Sequence, residues 1–220
     1  MKELNFLNNY HNTTKRDYIG RVTETDKALC AERAAQWGFD YWDGDRHFGY
    51  GGYHYDGRWL PIAKQIAKHY KLQPGDRILD VGCGKAFLLF EFQNVLKQPH
   101  LFGLDISIYG LEHAKPEIKH NLILGNANKL PWPDDYFDFV YSINTFHNLK
   151  VSSLKEAIQE MERVGKKKKW ICVESYRNEQ EKVNLLYWQL TCNSFFSVDE
   201  WQWLYKEWGY SGDYGFIFFE

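Results

Sequence analysis

From Trp59 onward the apolar positions alternate between helical and strand periods. WLPIAKQIAKHY puts Ile62, Ala63, Ile66, Ala67 and Tyr70 on one helical face, with Pro61 near the start, where proline is tolerated. LQPGD then breaks the chain with a turn. RILDV (77–81) reads as a short buried strand, residues 85–96 as a helix, and LFGLDI (101–106) as a second strand. A helix over 108–115 stops at Pro116, and NLILG (121–125) is a third strand. The turn LPWPDD leads into FDFVYSI (137–143), a fourth strand. SSLKEAIQEMERV reads as a capped helix with Leu154, Ala157, Ile158, Met161 and Val164 on one face. KWICVES (169–175) is a fifth strand and residues 181–190 a helix. SVDEWQWLYKEW (197–208) is a helix with a serine cap and an acidic first turn, and YGFIFFE is a last strand. Strands alternating with helices predict an α/β fold: a doubly wound, mostly parallel sheet of six to seven strands with helices on both faces. Such sheets bind ligands beyond the carboxyl ends of their strands.

The first 58 residues have weak strand signals. ETDKALCAERAAQW (24–37) reads as a helix, and FGYGGYHYDGRW (48–59) follows with five aromatics and four glycines in twelve positions. Two units are therefore expected: a helical and aromatic lid or substrate-binding extension over 1–58, and a ligand-binding domain over 59–220. The lid reading has a plain rival, an aromatic loop packed on the sheet edge with Asp56-Gly57 as a turn.

Composition narrows the class. The chain has 220 residues, enough for one domain with a sizeable core, and its aromatic content of 18% implies an aromatic core and pocket. A net charge of -2 creates no global field for nucleic acid. KKKK at 166–169 reads as a solvated turn between a helix and the fifth strand. The four cysteines, Cys30, Cys83, Cys172 and Cys192, form no CxxC pair, and no carboxylate cluster is arranged for magnesium, so no metal is predicted. Without a signal pattern or a run of about 20 apolar residues, a cytoplasmic chain with no membrane partner is the expectation.

Chemistry concentrates in the strand-end loops. In ILDVGCGKAF, Asp80 ends the first strand and Gly82, Cys83 and Gly84 form a turn that a ligand can touch through the backbone. Asp105 ends the second strand 21 residues after Gly84, where a carboxylate can accept from both hydroxyls of a ribose or cap the next helix. A dinucleotide fits poorly. Phe87 occupies the place of the third small residue of GxGxxG, and Asp80 would repel phosphates.

LDVGCGKAF, GLDIS and GNANKLPWPDDYFDFVYS follow one another in the order and spacing of class I S-adenosylmethionine-dependent methyltransferases, which residues 59–220 resemble. The resemblance implies a Rossmann-like fold and S-adenosylmethionine as cofactor, with S-adenosylhomocysteine as product. It implies that Asp80, Gly82, Cys83 and Gly84 line the methionine end, that Asp105 holds the ribose, and that Ile106, Asn126 and Ala127 flank the adenine. Ser142, in the fourth strand, is placed on the same cofactor side. Ala86 stands where the family usually has a third glycine, a mild replacement, and Asn126 stands where it often has aspartate.

For the acceptor, SINTFHNL after the fourth strand falls where methyl donor and acceptor meet in related enzymes. His147 is the first candidate base, with helix packing as its alternative, and Asn144 a candidate substrate contact. The fifth strand ends in ESYR, so Glu174, Tyr176 and Arg177 are expected at the same mouth. In the lid, Tyr50, Tyr53, Tyr55 and Arg58 are candidate substrate contacts, His54 is a second candidate base, and Arg46 or Arg58 could bind an anionic acceptor. The expected function is methyl transfer to an oxygen or nitrogen of a small polar acceptor, with a phosphorylated, nucleotide-linked or sugar-type metabolite as the narrower expectation. Two other readings stay open: a catalytically inactive cofactor-binding scaffold, and a nucleic-acid methyltransferase, although no NPPY-type motif follows the fourth strand.

Overall fold

The computed structural model describes residues 1–11 and 15–220. In chain order the helices are α1 (Asn8–His11), α2 (Gly20–Thr23), α3 (Lys27–Ala34), α4 (Phe39–Trp42), α5 (Leu60–His69), α6 (Phe87–Val95), α7 (Ile108–Glu112), α8 (Pro116–Lys119), α9 (Val151–Val164), α10 (Glu179–Trp188) and α11 (Val198–Glu207). The strands are β1 (Arg77–Val81), β2 (His100–Asp105), β3 (Leu122–Leu124), β4 (Phe137–Ile143), β5 (Gly165–Glu174) and β6 (Asp213–Ile217). They form one sheet in the order β3-β2-β1-β4-β5-β6, with every pairing parallel. The order reverses between β1 and β4, so a crevice opens where those two strands diverge.

The period of two along each strand sorts its side chains. Ile78, Phe139, Tyr141, Trp170 and Cys172 face one core with Ile62, Ile66, Leu89 and Phe92 of α5 and α6. Leu79, Val81, Val140, Ile171 and Val173 face the other, with Leu154, Ile158 and Met161 of α9 and Trp201 and Tyr205 of α11. Burial on both faces explains why the strands read as continuous apolar runs. Asp80 shares the parity of Ile78, and Glu174 that of Trp170 and Cys172. Both carboxylates therefore point to the face covered by α5, α6 and the N-terminal residues.

The chain's first residues join the sheet. Leu4 N–H donates to Tyr214 O at 2.7 Å and Tyr214 N–H to Lys2 O at 3.0 Å, beside β6. Leu7 and Trp59 belong to the same core as α5. Three local expectations are corrected. The lysine run is no turn, because β5 starts at Gly165. Lys169 is buried against Glu162 at 2.9 Å and Lys166 pairs with Asp138 at 2.7 Å, so ion pairs allow lysine in a strand. Helix α9 takes no serine cap, since Lys150 is its N-cap residue and makes no side-chain cap bond. The helix expected over 108–115 ends at Glu112, short of Pro116, and Pro116 instead opens α8, where a missing N–H costs nothing.

Candidate active site

The β1 loop is shaped by its glycines. Gly82 has φ +82° and Gly84 φ +54°; a Cβ on Gly82 would run into Thr145, and one on Gly84 into the Trp42 ring. Ala86 also sits at φ 54°, as the N-cap of α6. The position the family fills with glycine is thus left-handed here too, and alanine carries strain of about 1–2 kcal/mol there rather than being a neutral replacement. Asp105 ties the first two loops together. Its carboxylate accepts from Gly84 N–H and Ser107 N–H, both at 2.7 Å.

Above this loop runs a cavity of about 530 Å³. Its floor is Asp80, Gly82, Cys83 and Gly84, and it continues past Ile143 and Asn144 to His147 and Glu174. Its cover comes from the N-terminal residues, including Tyr41, Trp42, Tyr50 and Tyr53. Trp42 stacks on Tyr50 with centroids 5.5 Å apart, and Tyr53 stacks on Phe87 at 5.1 Å. A buried ion pair fastens the cover to the floor. Lys85 Nζ lies 2.6 Å from Asp43 and also donates to Tyr53 O at 2.8 Å, while Tyr109 Oη donates to Asp43 at 2.9 Å. Breaking such a pair leaves an uncompensated buried charge, a cost of about 3–5 kcal/mol.

Asp80 is 5% exposed and makes no ion pair among the described residues. Burial, reinforced by the charge of Asp105, holds its carboxyl up at about 8. A buried carboxylate on a cavity floor, without a cation beside it, suits a ligand that brings a positive charge. The ammonium and sulfonium of S-adenosylmethionine fit that requirement, with Asp80 as the residue that would hold the charge and the Gly82–Gly84 backbone as the surface it would lie on. When bound, that cofactor supplies an electrophilic methyl group. Asn144 adds a second sign of a ligand. It holds φ 53°, a conformation few non-glycine residues adopt, and its Oδ1 is buried without a hydrogen-bond partner among the described residues.

His147 and Glu174 form a buried pair. Glu174 N–H donates to His147 Nδ1 at 3.4 Å, which leaves the proton of the neutral ring on Nε2, 3.5 Å from Glu174 Oε2. Burial lowers the histidine to about 3 and raises Glu174 to about 8, the latter offset in part by Gln189 and Arg16. With Nδ1 already accepting and Nε2 aimed at a carboxylate, His147 has no lone pair for substrate. Glu174, absent from the expected site residues though expected at the mouth, is the better proton acceptor. Its sequence signal is the one that marks Asp80 and Asp105, a carboxylate ending a parallel strand.

Other expected residues fall elsewhere. His54 is turned outward, its side chain 77% exposed, and does not line the cavity. Tyr55 lies exposed on the outer side of α6, packing on Phe87 and Phe90 and donating to Glu91 at 2.8 Å, and does not line the cavity. Arg58 reaches the rim, held by Asp56 and by Tyr10 Oη at 2.9 Å. Tyr176 and Arg177 lie at a separate hollow near the C-terminus, with Arg177 paired to Glu181 and Glu220. They follow β5 by two and three residues, and the chain has already turned away there. Ser142 is wholly buried and donates to Val81 O at 2.8 Å, which makes it a strand-to-strand tie without access to a ligand. Ala127 is buried in the second core, Asn126 Oδ1 accepts from Asn128 N–H at 3.2 Å, and Ile106 is half exposed. None of these three, nor Asp105, lines the cavity. Trp42 covers Gly84 and donates to Ser107 Oγ at 2.9 Å, directly over the junction that Asp105 makes. The sequence held no signal for Trp42 or the Asp43–Lys85 pair, since both depend on contacts 42 or more residues apart.

The fold and the floor of the cavity define a class I S-adenosylmethionine-dependent methyltransferase. Residues 72–209 match the family model described as "Methyltransferase domain", and the chain belongs to that family. It is 33% identical over 128 residues to a demethylmenaquinone methyltransferase of Symbiobacterium thermophilum, covering 54% of this chain and 50% of that one. It is 30% identical over 141 residues to the demethylmenaquinone methyltransferase of Listeria monocytogenes, covering 60% and 56%. The chain thus spans about half the length of the curated relatives it matches. Among solved structures, the YcgJ protein of Bacillus subtilis superposes with TM-score 0.56 at 23% identity over 70% of this chain and 68% of that one. A SAM-dependent methyltransferase of Archaeoglobus fulgidus gives 0.54 at 19%, covering 68% of each. At those identities the two structures speak for the fold alone. No helix among the described residues is long and apolar enough to cross a membrane.

Proposed function

We propose that this chain transfers a methyl group from S-adenosylmethionine to an oxygen or nitrogen of a small polar acceptor. The observation that carries the reading is one continuous cavity joining Asp80 and the glycine turn to Asn144 and Glu174 beneath an aromatic cover. Cofactor and acceptor are held in a shared, water-poor space, and alignment of two reactants supplies much of the rate of a direct displacement. Glu174 takes the acceptor's proton; His147 positions the carboxylate. A phosphorylated, nucleotide-linked or sugar-type acceptor accords with a cationic lining, since Lys15, Arg16, Arg21, Arg46 and Arg58 all border the cavity.

The described residues of the cover, from Tyr10 and His11 and from Lys15 to Trp59, lie outside the family match at 72–209, so the quinone substrate in the relatives' name is not carried over to this chain. Ion-paired lysines in β5 and a lidded cavity speak against a nucleic-acid acceptor. An inactive scaffold would have no need of a buried strand-end carboxylate at each end of the cavity. We place the reaction in the cytoplasm, in keeping with four free cysteines. Calorimetric titration with S-adenosylmethionine, followed by detection of S-adenosylhomocysteine from a pool of polar metabolites, tests the reading. Failure to bind would remove it, and binding without turnover on any pool would favour the scaffold.

A further inference from the structure

At the end of the cavity away from the glycine turn, three guanidinium groups surround one indole. Arg16, Arg21 and Arg46 stand 5.5, 5.0 and 5.1 Å from the Trp188 ring. Trp188 ends α10, and part of this charge answers the carbonyl end of that helix. Arg21 Nε donates to Trp188 O at 3.2 Å, and Lys27 Nζ donates to Tyr187 O at 3.2 Å. A helix C-terminus carries only about half a negative charge, so three arginines exceed what it can balance.

For Arg21 and Arg46 that excess is not met by carboxylates among the described residues. Arg21 donates its remaining bond to Arg46 O at 2.6 Å, and Arg46 donates to Gly49 O at 3.2 Å and Tyr50 O at 2.7 Å. All of these acceptors are neutral carbonyls. Neither arginine has an ion pair among the described residues, and the Nη2 groups of both make no hydrogen bond there. Burial lowers the proton affinity of both guanidinium groups, and the charge of Arg46 lowers that of Arg21 further. Guanidinium groups held on carbonyls, fanned around a ring and bordering a cavity, have donors left for an oxyanion.

We propose that Arg21 and Arg46, on the platform of Trp188, form a binding site for a phosphate group of the acceptor. The proposal rests on the methyl-transfer reading for its biological sense, and it fixes the acceptor's orientation. The phosphate lies at the Trp188 end, so the group to be methylated is presented towards Glu174. Arg16, which borders the same cavity and interacts with Glu174, adds positive charge between the two. A dianionic phosphate is favoured over a carboxylate because two forked donors face one small space, which matches several oxygens of one anion.

The probe is inorganic pyrophosphate, titrated calorimetrically into the full chain at about 0.1 M salt, with succinate and S-adenosylmethionine titrated separately. Saturable pyrophosphate binding is expected, weakened about ten-fold or more in Arg46→Ala, as expected for loss of a charge-assisted hydrogen bond. The side-chain hydrogen bonds of Arg46 go only to carbonyls of its own loop, and its contact with Trp188 is to the ring face, so this variant is expected to fold even if Arg21→Ala loosens the end of α10. S-adenosylmethionine affinity should be the same in wild type and Arg46→Ala. Equal pyrophosphate binding in both proteins, or none in wild type, overturns the proposal. Succinate binding as tightly as pyrophosphate overturns the choice of phosphate. Pyrophosphate binding without S-adenosylmethionine binding would leave this site standing and remove the methyl-transfer reading.

Discussion

Asp80 offers the sharpest test, because the molecule makes a quantitative statement about its proton. Burial holds the free carboxyl at about 8. At pH 7 a group with that midpoint is protonated in roughly 0.9 of molecules. A cofactor ammonium placed about 4 Å away would favour the ionised form by about 4 kcal/mol at an effective dielectric constant of about 20. That is about three units, enough to bring the midpoint near 5 and the protonated fraction at pH 7 to roughly 0.01. Binding of S-adenosylmethionine should therefore release about 0.9 proton per site at pH 7. The assay is calorimetry in two buffers of different ionisation enthalpy, Pipes and Tris, where the slope of observed heat against buffer enthalpy counts the protons. In Asp80→Asn the slope should fall to near zero and affinity should drop about ten-fold or more. Glu174→Gln should keep the slope, since its carboxyl lies at the far end of the cavity floor. A wild-type slope near zero with binding intact would refute the assignment, as would the full slope persisting in Asp80→Asn.

The same shifts govern stability. Asp80 and Glu174 have folded-state pKa values raised above their unfolded ones, so their contribution is full at low pH and is lost as pH rises towards about 8. His147, lowered to about 3, and His11, lowered to about 4, act in the opposite sense, but only below about 6.5. The clean window is pH 6.5 to 8, where the melting temperature of the free protein should fall, and Glu174→Gln should flatten that fall; a rising melting temperature would contradict it. Gly82→Ala forces a Cβ into Thr145 at φ +82° and should cost about 2 kcal/mol or more in a urea titration, with loss of cofactor binding. A neutral result would mean the turn is not under that constraint. Lys85→Met leaves Asp43 buried and unpaired and should lower stability by about 3 kcal/mol, whereas Asp43→Asn with Lys85→Met together should recover part of it.

Much of this protein was determined by the sequence alone. The strand periods set β1 and β4 to the residue, because a strand buried on both faces writes its length directly as an apolar run. Gly82, Gly84, Asp80 and Asp105 were legible for a related reason: strand ends and positive-φ turns impose local rules, and local rules survive in linear order. What lay over the sheet was decided only in three dimensions. FGYGGYHYDGRW proved to be divided, with Tyr50 and Tyr53 on the cavity, Tyr55 on α6 and His54 in solvent. Irregular backbone has no period from which to read facing. The exchange of roles between His147 and Glu174 likewise follows from one backbone N–H occupying Nδ1, a contact between the loop after β4 and the end of β5 that no spacing encodes. The arginines around Trp188 come from residues 16, 21 and 46 and meet a helix end 142 or more positions away. Their charge is ordinary in the sequence, and only the packing of the N-terminal residues against α10 gathers it around one ring.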